Sequence, residues 1–460
     1  MRRMAAVLSA VVMVLAGPVA PAQAAPPQPG AAGIGDSYYP DYGNGGYDVE
    51  HYDIRLRYQP ATDELSGSTT IKARATQDLS RFDLDFRLGV KSVTVDGRAA
   101  RFARSGDHEL VVTPARPLRR GHTMTVRVAY SGIPSSTTGA WFRTPDGAVA
   151  AGEPEAAWWW FPANDHPADK ARFDISVAVP TGVEVLSNGT LPHPPSPDGP
   201  GWTRWSWHSA HPMATYLAFL AIGQYDIERT RNSIIAYSQL LTPELEAAAR
   251  ASVGRTAEIV AWESSLFGPY PFESQGGVVT PPDALPYSLE TQTRPTYGTS
   301  HFRRGPNPNV VVHENAHQWF GDSVSLTRWQ DIWLNEAFAV YAEWLWSEHT
   351  GDAPAQQLFD EYYDGFPDDD TVWTLPLGDP GVPVITPEIY FRGPMTLQAL
   401  RVTVGDPAFF KILRAWPAEH RYGNGTTAQF VALAERLSGR DLGPFFQAWL
   451  YTPSKPARPS

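Results

Sequence analysis

The sequence predicts a multidomain α+β protein, all-β in its first part and mainly helical afterwards. Three observations carry this. The chain has 460 residues, more than a single core comfortably supports, so at least two domains are expected. From about 49 to 231, apolar residues alternate with polar ones at the two-residue period of strands, and from about 233 onward the helical period takes over. A block of strands followed by a block of helices argues for segregated domains rather than one wound βαβ sheet.

The elements follow in chain order. Arg2 and Arg3 precede an apolar run over 4–20, and Ala22-Gln23-Ala24 offers a small-residue cleavage site, so 1–24 is predicted to be a signal peptide and the protein secreted. The run is too short to span a bilayer, and no later segment approaches the required length, so no membrane anchor is expected. The absence of cysteine excludes disulfides, thiolate metal ligands and an N-terminal lipidated cysteine. A formal net charge of −12 without a basic cluster excludes nucleic acid as a partner. Residues 25–46, rich in Pro, Gly and Ala, are predicted to be a flexible N-terminal segment.

The β domain is predicted over 47–232. Tyr52, Ile54, Leu56 and Tyr58 alternate with Asp53, Arg55 and Arg57, as do Phe82, Leu84 and Phe86 with their neighbours. Residues 92–95 run into an Asp96-Gly97 hairpin signal. Further strands are predicted at 108–113, 123–130, 172–179 and 202–208. The second domain is predicted over 233–455, with helices at 243–266, 309–320, 329–348, 394–404, 407–416, 427–437 and 442–450. The run Trp158-Trp159-Trp160-Phe161 is read as core, with cleft lining as the alternative.

Chemistry concentrates in 309–343. His313, Glu314 and His317 form an HExxH array, and Glu336 follows after eighteen intervening residues. Histidines four apart share one helical face, so both rings can reach one ion. Two imidazoles and a carboxylate leave the fourth position of a single Zn2+ open to water, the catalytic arrangement. Phe320 and Ser323 stand where a metzincin needs Gly and His, so the third ligand must come from a later helix. Glu336 supplies it, and Glu314, beside the ligand face, is the candidate general base. Asn335 is a candidate hydrogen-bond partner for a ligand histidine. Residues 289–293 alternate like an edge strand that could pair with an extended peptide.

These blocks, HENAHQWFGD and WLNEAFAVYAE, together with FPANDHPADKARF (161–173), FGPYPFES (267–274), SLETQTRP (288–295) and IYFRG (389–393), resemble the aminopeptidase N family of zinc metallopeptidases, the gluzincins. The resemblance implies a saddle-shaped β domain over 47–232 and a thermolysin-like catalytic domain over 233–455. It implies zinc on His313, His317 and Glu336, and an oxyanion-stabilising phenol at Tyr390. It also implies amine-binding carboxylates at Glu290 and Glu153. Pro394 stands where relatives usually carry Ala, and it is read as the first residue of a helix. The β-sandwich and large helical domain of longer relatives have no counterpart after PFFQAWLYTP, which implies an open cleft. The expected function is a secreted aminopeptidase acting on peptides. The alternative is a gluzincin endopeptidase or epoxide hydrolase with no free-amine requirement.

Overall fold

The computed structural model describes residues 26–136 and 139–459. The signal peptide expected over 1–24 lies outside the described residues. An eight-stranded sheet organises the first domain. Its spatial order is Ser196–Pro197, Trp202–Met213, Ala171–Pro180, Tyr47–Gln59, Glu64–Ala75, Thr123–Gly132, Gly89–Val95 and Arg98–Ala99. Pairing is antiparallel except between Ala171–Pro180 and Tyr47–Gln59. The alternation in sequence is the cause: Tyr52, Ile54, Leu56 and Tyr58 turn inward to the core, and Asp53, Arg55 and Arg57 turn outward. Two four-stranded sheets accompany it, one built around Leu79–Asp85 and Glu109–Thr113, the other around Ala148–Ala150 and Leu220–Gly223. All four residues of the run Trp158–Phe161 are buried, which settles the aromatic run as core.

The second domain opens with a sheet ordered Tyr225–Arg229, Ser233–Ser238, Gln275–Val279 and Thr296–Tyr297. Its first strand therefore lies ahead of the boundary expected at 232. Among the described residues ten α-helices follow or flank it: α1 (Pro243–Val253), α2 (Thr256–Phe267), α3 (Pro308–Ala316), α4 (Trp333–Thr350), α5 (Ala355–Gly365), α6 (Thr371–Thr374), α7 (Pro387–Val404), α8 (Asp406–Glu419), α9 (Thr427–Ser438) and α10 (Gly443–Phe446).

Several expectations are corrected. The single helix expected over 243–266 is two, because Gly254 ends α1 with its N–H on the Arg250 and Ser252 carbonyls. The helix expected to start at Pro394 starts at Pro387, which leaves Pro394 in the interior of α7. Residues 289–293 are not a strand. Leu289 makes one isolated bridge to Thr296, and Thr293 adopts φ +71°, a left-handed conformation that ends any extended run.

The segment 25–46, expected to be flexible, is built into the fold over its described residues 26–46. Gln28–Pro29 pairs with Leu79–Asp85, and Asn44 and Asp36 are buried. Asp36 Oδ2 accepts from the Trp329 backbone N–H at 2.8 Å and faces His166 Nε2 at 3.1 Å. One carboxylate thereby joins the N-terminal segment, the β domain and the catalytic domain. Two cationic side chains, half-buried Lys170 and buried Arg294, add to the same seam. Lys170 Nζ donates to the carbonyls of Asp322, Ser323 and Gly423 at 2.7, 3.0 and 3.3 Å. The Arg294 guanidinium donates to the carbonyls of Ser187, Gly189 and Ile234.

Candidate active site

Helix α3 begins at Pro308, whose missing N–H costs nothing at a first helical position. Val311, Val312 and Ala316 bury one side of the helix, so His313 and His317 are held toward α4 with their rings 4.9 Å apart. Helix α4 is fixed against this turn by Phe338, stacked on Phe320 at 4.5 Å, and it carries Glu336. Glu336 Oε2 lies 3.4 Å from His313 Nε2 and 3.7 Å from His317 Nε2. All three donor atoms fall within 4.8 Å of one another.

This set fits zinc. A tetrahedral ion with bonds of about 2.1 Å places its ligands about 3.4 Å apart. The second nitrogens are occupied: His313 Nδ1 donates to Glu343 Oε1 at 2.8 Å, and His317 Nδ1 to the Phe320 carbonyl at 3.0 Å. Both Nε2 lone pairs are thereby turned inward, the orientation that outer hydrogen bonds impose on metal-binding imidazoles. Burial opposes the charge on each ring, but Glu336 outweighs it and raises His317 to about 9. In return the two imidazoles hold Glu336 below the usual carboxylate range against its own burial. A second group, Glu290, Glu314 and His317, also lies within 4.8 Å. Glu290 Oε1 there already accepts from the Tyr216 hydroxyl at 2.9 Å.

Glu314 is 5% exposed, and burial pushes its carboxyl up to about 8. Tyr390 sits in the first turns of α7, its ring stacked 6.2 Å from His313. Gly393 brings α7 close to α4, since a Cβ there would lie 2.6 Å from Ala337 Cβ. Any side chain would push Tyr390 away from Glu336's helix. Fully buried Arg392 fastens the same turn by donating to the carbonyls of Trp373, Leu375, Ala448, Trp449 and Thr452. Tyr390, His313, Glu314 and Glu343 line a cavity of about 510 Å³ that also meets Tyr287 and His301.

Glu290 and Glu153 come to the same end of the cleft. Glu153 Oε1 is buried without a hydrogen-bond partner, and burial first, then the charge of Glu290, raises its carboxyl well above the ordinary range. Gln318 holds the Glu290 loop onto the end of α3. Its Nε2 donates to the Glu290 carbonyl at 2.9 Å and its Oε1 accepts from the Thr293 N–H at 2.7 Å. The structure thus gathers all seven residues singled out by sequence: His313, Glu314, His317, Glu336, Tyr390, Glu290 and Glu153.

Asn335 is the exception among the supporting residues. Neither of its side-chain polar atoms meets a partner. The ligand-orienting carboxylate is Glu343, which sequence reasoning missed although it stands seven residues after Glu336, two turns along the same face of α4. Tyr216, in a short 3-10 turn over Thr215–Leu217 far from α3 in the chain, gives no signal in sequence.

Comparison with known proteins agrees with this geometry. Residues 48–217 match the Peptidase M1 N-terminal domain, and residues 294–449 match the Peptidase family M1 domain. Human glutamyl aminopeptidase is 27% identical over 320 residues, 65% of this chain and 33% of that protein. Aminopeptidase N of Streptomyces lividans is 27% identical over 324 residues, 64% of this chain and 36% of that protein. The chain therefore spans about a third of the length of these curated relatives. The crystal structure of the M1 zinc metallopeptidase from Deinococcus radiodurans superposes with a TM-score of 0.81 at 29% identity, covering 93% of this chain and 99% of that one. A mutant of that enzyme bound to a Tyr-Ser-Ala substrate superposes equally well, TM-score 0.81 at 28% identity. With both domains matched in sequence and in fold, the chain belongs to peptidase family M1.

Proposed function

We propose that the protein is a secreted zinc aminopeptidase that removes N-terminal residues from peptides, with one zinc ion on His313, His317 and Glu336. The bound ion supplies a Lewis acid that lowers the pKa of water to about 7 and polarises the scissile carbonyl. Glu314 takes a proton from the attacking water and passes it to the departing amine. The Tyr390 phenol donates to the oxyanion that forms as the carbonyl is attacked. Glu290 and Glu153 pair with the free α-amine of the first residue by charge-assisted hydrogen bonds.

One observation carries the aminopeptidase reading over an endopeptidase: Glu290 has a carboxylate oxygen within 4.8 Å of both the Glu314 carboxylate and His317. In a peptide the amine nitrogen and the carbonyl carbon of one residue are only about 2.5 Å apart. A carboxylate that reads the amine must therefore sit within a few ångströms of the base, as Glu290 does. Names of relatives, glutamyl aminopeptidase and aminopeptidase N, point the same way.

The test compares aminoacyl-arylamides with their N-acetylated forms, in wild type and Glu314→Gln. The wild type should turn over the free-amine forms and barely touch the acetylated ones. Glu314→Gln should keep its zinc and lose at least ~10²-fold in turnover, the lower range for general acid–base catalysis. Efficient cleavage of acetylated or internal bonds would overturn the aminopeptidase reading. Turnover near wild type in Glu314→Gln would overturn the role of the base.

A further inference from the structure

The catalytic cavity extends beyond the proposed zinc ligands. It runs back along α3, from Glu314 and His313 to Val310, Asn309 and Asn307. His301 and Asn307 are also walls of a second cavity of about 500 Å³, which Arg303 and Arg304 line as well. The two spaces adjoin across that shared pair of side chains and make one groove.

Helix α3 gives the groove its direction. Glu290, the proposed reader of the amine, shares its space with Glu314 and with His317, one helical turn after His313. The groove leaves His313 the opposite way, toward the start of α3. A peptide with its amine on Glu290 therefore sends its departing portion toward Asn307 and the two arginines. Asn307 precedes His313 by six positions, about 9 Å at 1.5 Å per helical residue. An extended chain covers that span in two or three residues at about 3.3–3.6 Å each.

The turn that presents the arginines is fixed at both ends. Phe302 is buried, the Gly305 N–H donates to the Phe302 carbonyl at 3.1 Å, and the Asn307 N–H donates to Ser252 Oγ at 2.8 Å. Both arginines are exposed. Arg303 pairs with Asp283, whose side chain is 75% exposed, so water competes for that contact. Arg304 has no ion-pair partner among the described residues. The carboxylate of Glu343 lies at the zinc end of the groove, bound to His313 Nδ1. The far end is thus cationic in a chain of net charge −12.

We propose that Arg303 and Arg304, beside His301 and Asn307, bind the C-terminal carboxylate of a short peptide two or three residues past the cleaved bond. The guanidinium fork matches a carboxylate in shape and charge. The inference rests on the aminopeptidase reading and adds a length preference to it, for tripeptides and tetrapeptides. Longer peptides carry their terminus beyond the arginines and lose the pairing.

The test measures kcat/KM for trialanine and tetraalanine as free acids and as C-terminal amides. Wild type should prefer the acids about five- to tenfold, since two guanidinium groups on one carboxylate exceed a single exposed pair. High salt should shrink that preference. Arg303→Ala/Arg304→Ala should bring the acid-to-amide ratio to about one, and Arg303→Glu/Arg304→Glu should invert it. An alanine octapeptide should show no preference. A side-chain carboxylate is the other source of the same group, so amidated tripeptides ending in Glu and in Gln are compared. A Glu peptide as fast as the free acid would overturn the assignment to the chain terminus. Wild-type turnover of aminoacyl-arylamides, which carry no carboxylate, reports the underlying aminopeptidase reading separately. Equal rates on acid and amide in a wild type that cleaves arylamides, or a preference that survives both double variants, would overturn the proposal.

Discussion

Replacing Glu343 with alanine removes the acceptor that orients His313 without touching the three proposed ligands. The bond is 2.8 Å long, from His313 Nδ1 to Glu343 Oε1, and the glutamate side chain is 27% exposed. A hydrogen bond to a charged group is worth roughly 1.5–3 kcal/mol, and partial exposure places this one at the lower end. Since about 1.4 kcal/mol is tenfold in a binding constant, zinc affinity should fall about tenfold, within the range of about 10–100 for such outer partners. Glu343→Gln keeps a neutral acceptor and should lose about threefold, consistent with neutral hydrogen bonds being roughly half as strong. Competition against a chromogenic chelator at neutral pH reads this directly. Metal affinity is the readout because Glu343 also lines the cavity, where turnover would mix two effects. Asn335→Ala serves as the control and should stay within about twofold, the scatter allowed by context. An unchanged affinity in Glu343→Ala, or an equal loss in Asn335→Ala, would refute the assignment of Glu343 as the orienting group.

Tyr390→Phe should lower kcat by about 10²–10³ with little change in KM, because the phenol acts only when the oxyanion forms. A raised KM at constant kcat in steady-state kinetics would make Tyr390 a substrate-binding residue instead. Glu290→Ala should cut kcat/KM for free-amine substrates about tenfold to a hundredfold, the value of one charge-assisted hydrogen bond. If N-acetylated substrates lose as much, Glu290 does not read the amine. Asp36 gives a pH prediction. Burial raises its carboxyl, but hydrogen bonds from His166 and from the Trp329 and Tyr38 N–H groups outweigh it and hold the group at about 2, below its ordinary 3.8. Stability from this carboxylate is therefore present above about pH 4 and lost as pH falls through about 2, about 2 kcal/mol in all. Urea midpoints of wild type and Asp36→Asn should keep a constant gap between about pH 5 and 7 that narrows below about pH 4. A gap that widens with acid would reverse the sign of the argument.

What could be read from sequence was what repeats locally. The strand alternation around Tyr52–Tyr58 and the HExxH spacing both encode a single face, and a face survives into the fold whatever packs on it. Glu336 was legible because only a later helix could complete the ligand set. The composition of residues 26–46 describes only a loose backbone, whereas their order comes from partners far along the chain, His166 and Trp329. The Glu290 loop was misread for a similar reason. Its alternation is genuine, but the buried Arg294 guanidinium and the left-handed Thr293 bend it out of any ladder. Glu343 lies within reach of the helical period from Glu336, but nothing local in the sequence marks it as the partner of His313.

The Arg392 knot makes the last helical turns a brace for catalysis. Three of its acceptors, the carbonyls of Ala448, Trp449 and Thr452, belong to the turn after α10, and the residue two positions before it in α7 is Tyr390. Chain outside the cavity lining therefore fixes the turn that carries Tyr390. Fraying of residues 447–452, by a fused tag or a nearby substitution, would free three hydrogen-bond donors of a buried cation and loosen the turn that bears Tyr390. Such a lesion would read out as weakened transition-state stabilisation with intact metal and intact substrate affinity, and mapping by activity alone would assign it to the wrong end of the molecule.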